Sequence, residues 1–432
     1  MNATGYLESL LAAQPKLPAS PLARLNDLRA EAVDRVGVLT VPTIRDEEWR
    51  FTDLSPLTRL SFQPVRTSTL PDGGELRRFR LDEAATRVVF VDGVHAPGLS
   101  HVAPGVAVAV TLSTATQAHR AAIDLHLGRH VNFRDDVFAA LNTAFLQDGT
   151  SIVAPRGTAV AAPVHLLHIA TQKDAASYPR CLVVAEPGSA VTVIEDFVSL
   201  QEGAYFTDAV TEIAIAADAR VDHVRVQRDG GQAFHIANCA VSLGAGSSYR
   251  SVSVALGARI SRYSLRVLQT EAGAHCTIDG LAVISGRQLA DTHTSIDHAM
   301  PDGVSRQRHK CIVGGAAHAV FNGKIMVRPG AQRTDSSQSS RNLLLTGRAH
   351  VDTKPQLEIF ADDVKCAHGA TVGQLDGDAL FYLASRGIET TAARNLLTYA
   401  FGAEIIDRIP VTSLRNLLET TLLAQTTATH QP

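Results

Sequence analysis

The sequence predicts a mainly β protein with a parallel β-helix at its centre and helical regions at both ends. Helical periodicity is absent from about residue 150 to 375, where short strands of alternating apolar and polar residues take its place. A similar turn recurs between these strands, in which a small residue or glycine precedes small or polar residues. Near both ends of the chain, apolar residues return to helical spacing.

The N-terminal part is predicted to be helical and mixed. Ser20 followed by Pro21 is typical of a helix start. Residues 85–98 have the pattern of a strand followed by a turn. A further helix is predicted from residue 133 and should end at Gly149, since glycine is favoured just beyond a helix C-terminus.

In the central part, the spacing of the recurring turn decides between β architectures. The spacing is too irregular for the blades of a propeller, and no tryptophan–aspartate repeat is present. Stacked coils fit better, because each coil of a β-helix buries its apolar face against its neighbours. A jelly roll or two sandwich domains is the alternative that the pattern leaves open.

The C-terminal part is predicted to contain a short helix and two longer amphipathic helices. The short helix begins at an Asp cap and ends at Gly387, and Pro410 separates the two longer ones. Such helices either cap the β-rich part or form a docking surface for another protein. The apolar positions of the three helices are, in order, Leu380, Phe381 and Leu383; Leu396, Leu397, Ala400, Phe401 and Ile405; and Leu414, Leu417, Leu418 and Leu422.

Composition excludes several classes of function. The formal net charge of −3 over 432 residues gives no general attraction to nucleic acid or to an anionic membrane. Five widely separated cysteines indicate a reducing compartment and not a disulfide framework. There is no secretory or transit pattern at the N-terminus and no run of 18 apolar residues. We therefore expect a cytoplasmic protein without a membrane span.

Motifs of self-contained enzymes are absent from the sequence. It has no P-loop, no GxGxxG after a strand, no GxSxG and no HExxH. His293, His298 and His309 do not match a known zinc spacing, although a zinc hydrolase built on them remains a rival hypothesis. The Ser- and Gln-rich residues 335–341 are expected to bond to the backbone at coil edges, and Ser336 has no evident base partner.

Cys366 and His368 are the strongest candidates for chemistry. Residues i and i+2 of a strand share a face, so a strand here would present a thiol and an imidazole side by side. Both groups suit iron, zinc or a persulfide relay, and an imidazolium would favour the thiolate. Two ligands cannot close a four-coordinate site, so the remaining ligands would have to come from elsewhere, for example from another chain. The alternative is that both residues are ordinary residues of a packed strand.

Several longer segments together resemble one family. The blocks VFNGKI, AQRTDSSQSSRNLLL, KPQLEIFADDVKCAHGATVGQLD and FYLASRGI, with EEWRFTDLSPL near the N-terminus, are similar to the SufB/SufD family of iron–sulfur cluster assembly proteins. The resemblance is dense from about residue 290 to 400 and sparser before. The histidine–glycine of KCAHGAT and the lack of an N-terminal cysteine cluster make the chain most similar to the D type.

The resemblance implies an architecture and a role. It implies that the core is a right-handed parallel β-helix. The changes of periodicity place this core at residues 150–376, with a helical and mixed domain at 1–149 and a helical domain at 377–432. It implies a non-catalytic scaffold that pairs with a SufB-type subunit through the end of the β-helix. A transient iron–sulfur cluster would form at this interface, with His368 and, less directly, Cys366 among the groups involved.

The resemblance also implies how ATP and other proteins take part. A SufC-type ABC ATPase would dock on the C-terminal helices and supply ATP hydrolysis, which fits the missing P-loop. Sulfur donor and acceptor proteins would act through the complex, and a role for reduced flavin is left open. The docking residues expected on the first long C-terminal helix are Leu396, Leu397, Phe401 and Ile405.

Two other functions compete with this one. A SufB-like homodimeric scaffold would have the same fold with a different partner. A carbohydrate-active β-helix enzyme would need acidic residues stacked across coils and exposed aromatic residues for sugar. The single Trp and the absence of a stacked acidic pattern argue against that enzyme.

Overall fold

Two large, mostly parallel sheets form the centre of the chain. The computed structural model describes residues 3–429 except residues 13, 15–16, 18, 73 and 104–108. Its strands are β1 (Gln63–Pro64), β2 (Thr86–Val91), β3 (Val94–His95), β4 (Ala109–Thr111), β5 (Thr150–Ala154), β6 (Val164–Ala170), β7 (Ala175–Ser177), β8 (Arg180–Ala185), β9 (Ala190–Ser199), β10 (Phe206–Ile215), β11 (Arg220–Arg228), β12 (Phe234–Leu243), β13 (Ser248–Ala255), β14 (Ile260–Gln269), β15 (His275–Ile284), β16 (Leu289–His298), β17 (Val304–Val313), β18 (His318–Val327), β19 (Asp335–Leu344), β20 (His350–Ile359) and β21 (Lys365–Gly373). Its α-helices are α1 (Ala3–Leu11), α2 (Ala23–Val38), α3 (Ser55–Thr58), α4 (Gln117–His126), α5 (Val137–Ala144), α6 (Gly377–Ser385), α7 (Thr390–Ile406) and α8 (Thr412–Thr429).

From β8 onward the chain alternates strictly between the two sheets. Sheet 1 contains β5 and the even-numbered strands β8 to β20, and sheet 2 contains β6 and the odd-numbered strands β9 to β21. Neighbouring strands in these series are parallel, and β18 pairs with β20 so that His318 lies beside His350, one coil later. The centre is therefore a parallel β-helix of about eight coils, which confirms the predicted architecture. The jelly-roll and sandwich alternatives are wrong.

Several of the turns that recur in the sequence are corners where the chain passes from sheet 1 to sheet 2. Gly188, Asp218, Gly246 and Gly273 occupy this corner in successive coils, with φ between 58° and 75°. Glycine adopts this left-handed region freely, and Asp does so more readily than most residues. The N–H of Gly188 donates to the carbonyl of Ala217 in the next coil at 2.9 Å, and later corners repeat this bond. Similar turns recur because the corners stack on one another.

Helices cover part of the outer face of each sheet. On sheet 1, Phe206 and Phe234 join the core formed by the N-terminal helices. On sheet 2, Val254 and Leu281 pack with Leu418 of α8 and the buried side of α7. The covering elements thus hold the sheets from both sides and leave the end at β20 and β21 uncovered by a further coil of the described chain.

The N-terminal part contributes strands as well as helices. The strand predicted within residues 85–98 is β2, which lies parallel to β6 and extends sheet 2. The helix predicted to begin at Ser20 begins at Ala23, because the Ser20 hydroxyl accepts from the Leu22 N–H and forms a turn before the helix. The helix predicted to end at Gly149 ends at Ala144. In the part of the chain that the structure describes, no helix has the length and apolar character needed to cross a bilayer.

Candidate functional site at the open end of the β-helix

Cys366 and His368 lie on the last strand of the β-helix. Within the described residues, β21 pairs with β19 on one side only, so its other edge is free. Cys366 lies beside Ser336 and His368 beside Gln338, and both of these neighbours are buried between the sheets. Because paired residues of parallel strands share a face, Cys366 and His368 face the interior of the coil.

This interior face is accessible from solvent at the end of the β-helix. His368 is exposed and Cys366 is partly buried. The Cys366 side chain packs against the small apolar cluster that includes Ile325 and Val327 of β18. The open end therefore presents an imidazole next to a recessed thiol, with their Cα atoms roughly 7 Å apart by strand geometry.

The environment of Cys366 keeps its thiol protonated in the isolated chain. Partial burial raises the pKa of Cys366, and the backbone N–H of Ser336 lowers it, with a net rise. The expected activation of the thiolate by an imidazolium is therefore not met within this chain. A metal ion or a positive group from a partner would ionise the thiol, because thiolate ligation releases the proton.

Hydrogen-bonded polar side chains fill the coils beneath the open end. The hydroxyls of Ser336 and Ser305 are 2.6 Å apart, and Ser305 Oγ is 3.0 Å from His298 Nε2. The Gln338 Nε2 donates to Gln307 Oε1 at 2.8 Å. These side chains bond to one another in the interior, so the predicted bonds to the backbone at coil edges are wrong for Ser336 and Gln338. Polar residues at every second position of both strands, Ser305 and Gln307 beside Ser336 and Gln338, were the signal that could have indicated a polar interior.

The three histidines of the zinc hypothesis do not converge. His293 lies on the outer face of sheet 1, where its Nδ1 is 3.2 Å from a carboxylate oxygen of Glu48. His298 and His309 face the interior, and the His309 ring stacks on Phe321 with centroids 4.5 Å apart. Burial lowers the pKa of both interior histidines to about 4, so both are neutral near pH 7. A hydrolase site built on these three residues is therefore wrong.

The four apolar residues predicted to contact a partner lie on different sides of α7. Ile405 is buried against sheet 2. Phe401 is partly buried, with the ammonium of Lys310 4.4 Å from its ring centroid. Leu397 is partly buried and Leu396 is 47% exposed. Leu396 is thus available to a partner, Ile405 is part of the chain's own core, and the contact itself stays a prediction.

An exposed aromatic pair on α6 forms an apolar surface that was not predicted from the sequence. Phe381 is 77% exposed and Tyr382 is 58% exposed. A cavity of about 320 Å³ lies beside this helix and is lined by residues that include Val372, Leu375 and Leu397. The sequence did contain an indication of this surface. Phe381 and Tyr382 are consecutive residues of a short predicted helix, so they cannot both lie on one buried face. We use the name C-terminal apolar patch for Phe381 and Tyr382 of α6 together with the exposed Leu396 of the neighbouring helix α7.

Comparisons with known proteins match nearly the whole chain. Residues 168–401 match the family model described as "SUF system FeS cluster assembly, SufBD core domain". Residues 2–166 match the model described as "SufBD protein N-terminal region". The two models together cover the N-terminal part, the β-helix and α6 and most of α7.

Curated relatives are similar over most of their length. An iron–sulfur cluster assembly SufBD family protein of Synechocystis is 39% identical over 403 residues, covering 90% of this chain and 88% of the relative. The iron–sulfur cluster assembly protein SufD of Escherichia coli is 35% identical over 374 residues, covering 85% of each chain. The chloroplastic protein ABCI7 of Arabidopsis thaliana is 32% identical over 423 residues, covering 95% and 87%.

Proposed function

The chain belongs to the SufBD family of iron–sulfur cluster assembly proteins, and from this premise we propose that it is a D-type, non-catalytic scaffold subunit. It pairs with a SufB-type subunit through the open end of its β-helix. A nascent cluster, which is cargo and not a resident cofactor, is built at this interface and passed to acceptor proteins. ATP acts through a SufC-type ATPase bound to the C-terminal apolar patch.

The observation that carries this proposal is the position of His368. It is an exposed imidazole on the inner face of β21, and within the described residues β20 and β21 each end their sheet with a free edge. Free strand edges are ready templates for pairing with another chain. A partner that pairs there brings its own side chains against His368 and Cys366, which alone are too few to close a metal site.

The C-terminal apolar patch supports the ATPase contact. Phe381 and Tyr382 are large, exposed and on a helix that is held beside α7. Exposed aromatic residues of this kind are typical anchors of protein interfaces. The patch lies on the two helices that follow the last strand, so movement of a bound ATPase would be transmitted to the open end.

His368→Ala should abolish cluster formation without preventing assembly. The chain is co-expressed with its SufB-type and SufC-type partners, and assembly is followed by size exclusion. Cluster formation is followed by visible absorbance and iron content. We expect an intact complex with little or no cluster, because the exposed imidazole can be removed without opening the packed interior.

The matched control is His275→Ala, which removes an exposed histidine at the start of β15 in the same sheet. It should leave both assembly and iron content unchanged. A His368→Ala complex with a normal cluster would contradict the role of His368. A stable homodimer of this chain that holds a stoichiometric cluster on its own would favour the SufB-like alternative.

Phe381→Asp should release the ATPase from the complex while the pairing with the SufB-type subunit persists. The aspartate replaces the most exposed aromatic side chain of the C-terminal apolar patch with a charge, and losing an anchoring aromatic side chain from an interface typically costs about 2 kcal/mol or more. The measurement is the amount of ATPase that co-elutes with the chain. Glu419→Ala on α8 serves as the control. If both variants retained equal amounts of ATPase, the ATPase would not dock at the C-terminal apolar patch.

A further inference from the structure

Two histidines and an aspartate form a cluster on the outer face of sheet 1. His318 and His350 begin β18 and β20 and are neighbours in register. Asp352 lies two residues further along β20 and therefore on the same face. The Nε2 atom of His318 is 2.8 Å from Asp352 Oδ2, and the Nε2 atom of His350 is 3.2 Å from the same oxygen. Neither Cys366 nor His368 belongs to this cluster.

We propose that His318, His350 and Asp352 bind a divalent transition-metal ion. The three ligand atoms lie within 4.8 Å of one another. Ligands that surround one ion tetrahedrally at about 2.1 Å are roughly 3.4 Å apart, so small rotamer changes suffice to admit an ion. Among the described residues this is the one group of three or more His, Cys, Asp and Glu side chains that converges in this way.

Two of the three ligands are partly buried, and the third is exposed enough to change its rotamer. The side chains of His318 and Asp352 are 26% and 27% exposed, and they sit on adjacent strands of a continuous sheet. His350 is 65% exposed and can swing toward an ion. Ligands on strands are positioned more accurately than ligands on loops. The solvent-facing side leaves room for water or a further ligand to complete the coordination.

The local charge also favours a cation. Among the described residues, both ion-pair partners of Asp352 are imidazoles, which carry charge only when protonated. Lys354, the next residue on the same face of β20, is paired with Glu47 at 2.7 Å. Two imidazole nitrogens and one carboxylate suit Zn²⁺, Fe²⁺, Co²⁺ or Ni²⁺, whereas Mg²⁺ and Ca²⁺ prefer all-oxygen sites.

The test uses the full chain, without a histidine tag and freed of metal, titrated with Co²⁺ under anaerobic conditions. We expect one tightly bound Co²⁺ per chain with visible d–d bands and no sulfur-to-cobalt charge-transfer band. Zn²⁺ should displace the cobalt, and an anaerobic Fe²⁺ competition shows which ion binds more tightly. A sulfur charge-transfer band would place the ion at a cysteine such as Cys366 and overturn the assignment.

Substitutions distinguish metal binding at this cluster from metal binding at other histidines of the chain. His318→Ala and the nearly isosteric Asp352→Asn should each weaken Co²⁺ binding by more than about tenfold, and Zn²⁺ should no longer raise their Tm. His275→Ala, at the matching first position of β15, should bind as the wild type does. Unchanged affinity in Asp352→Asn, whose fold is checked by its metal-free Tm, would overturn the proposal.

Discussion

Glu212→Ala should lower the free energy of unfolding by about 3–5 kcal/mol, because it leaves a buried guanidinium without its counter-ion. Glu212 and Arg180 form an ion pair in which both side chains are fully buried. Burial raises the pKa of Glu212, but Arg180 and the backbone donors lower it more, so the net pKa is lowered. The carboxylate also accepts from the N–H groups of Gly128 and His130 at 2.8 and 2.9 Å. One side chain thus fixes the loop between α4 and α5 onto sheet 1.

The measurement is chemical denaturation of the isolated chain, read at the first transition, since a chain of this size need not unfold in one step. Glu358→Ala is the matched control, because Glu358 lies on the same sheet and pairs with Lys324 at 2.7 Å near the surface. That exposed pair should contribute less than about 1 kcal/mol. Equal effects of the two substitutions would show that the buried pair is not the attachment point of the loop.

A double substitution distinguishes the loss of the ion-pair attraction from the cost of leaving a buried charge without a partner. Replacing Arg180 and Glu212 together with Met and Leu should recover much of the stability lost in Glu212→Ala. Buried ion pairs replaced by apolar residues of similar volume are often neutral in stability. The loop N–H groups would remain without the carboxylate, so recovery should be incomplete.

The strands and corners of the β-helix could be predicted because each of them has a recognisable local sequence pattern. Corners such as Gly246 require a positive φ, and the strands between them alternate. The side of each strand that faces inward could not be predicted in the later coils. In those coils, polar residues such as Ser305 and Gln307 point into the interior between the two sheets. The alternation of apolar and polar residues therefore no longer identifies the buried face of a strand.

Contacts between coils were the other part that the sequence could not give. His318 and His350 are far apart in the chain and meet only because the coils are in register. On α7, Leu396 and Ile405 are equally apolar, and only the packing of the helix on sheet 2 decides that Ile405 is buried. The site residues Cys366 and His368 could be proposed from their i, i+2 spacing, but their accessibility depends on β21 being the last strand.

Ala370→Pro should prevent stable pairing with the SufB-type subunit while leaving this chain folded. The Lys365 N–H donates to the Thr334 carbonyl at 2.8 Å, so odd-numbered residues of β21 bond to β19. Since successive residues of a strand point their backbone groups to opposite sides, Ala370 directs its N–H to the free edge. Proline there removes no bond within the chain but takes away a donor that a partner strand needs, and its ring obstructs that strand.

The affinity of the pair should fall by more than about tenfold, because a buried backbone group left without its partner costs about 1–3 kcal/mol before the steric clash is counted. The measurement is titration of the separately purified subunits, supported by size exclusion. Ala370→Val is the control, since it adds similar bulk on the inner face and keeps the N–H. A proline variant that pairs as tightly as the valine variant would show that β21 does not provide the interface edge.

Together with His368→Ala, this substitution separates the two roles proposed for the open end. Ala370→Pro acts on the backbone and should remove both the pairing and the cluster. His368→Ala acts on a side chain and should remove only the cluster. If the two variants instead had the same effect on pairing, His368 would be an interface contact, and the ligands of the cluster would have to come from the partner.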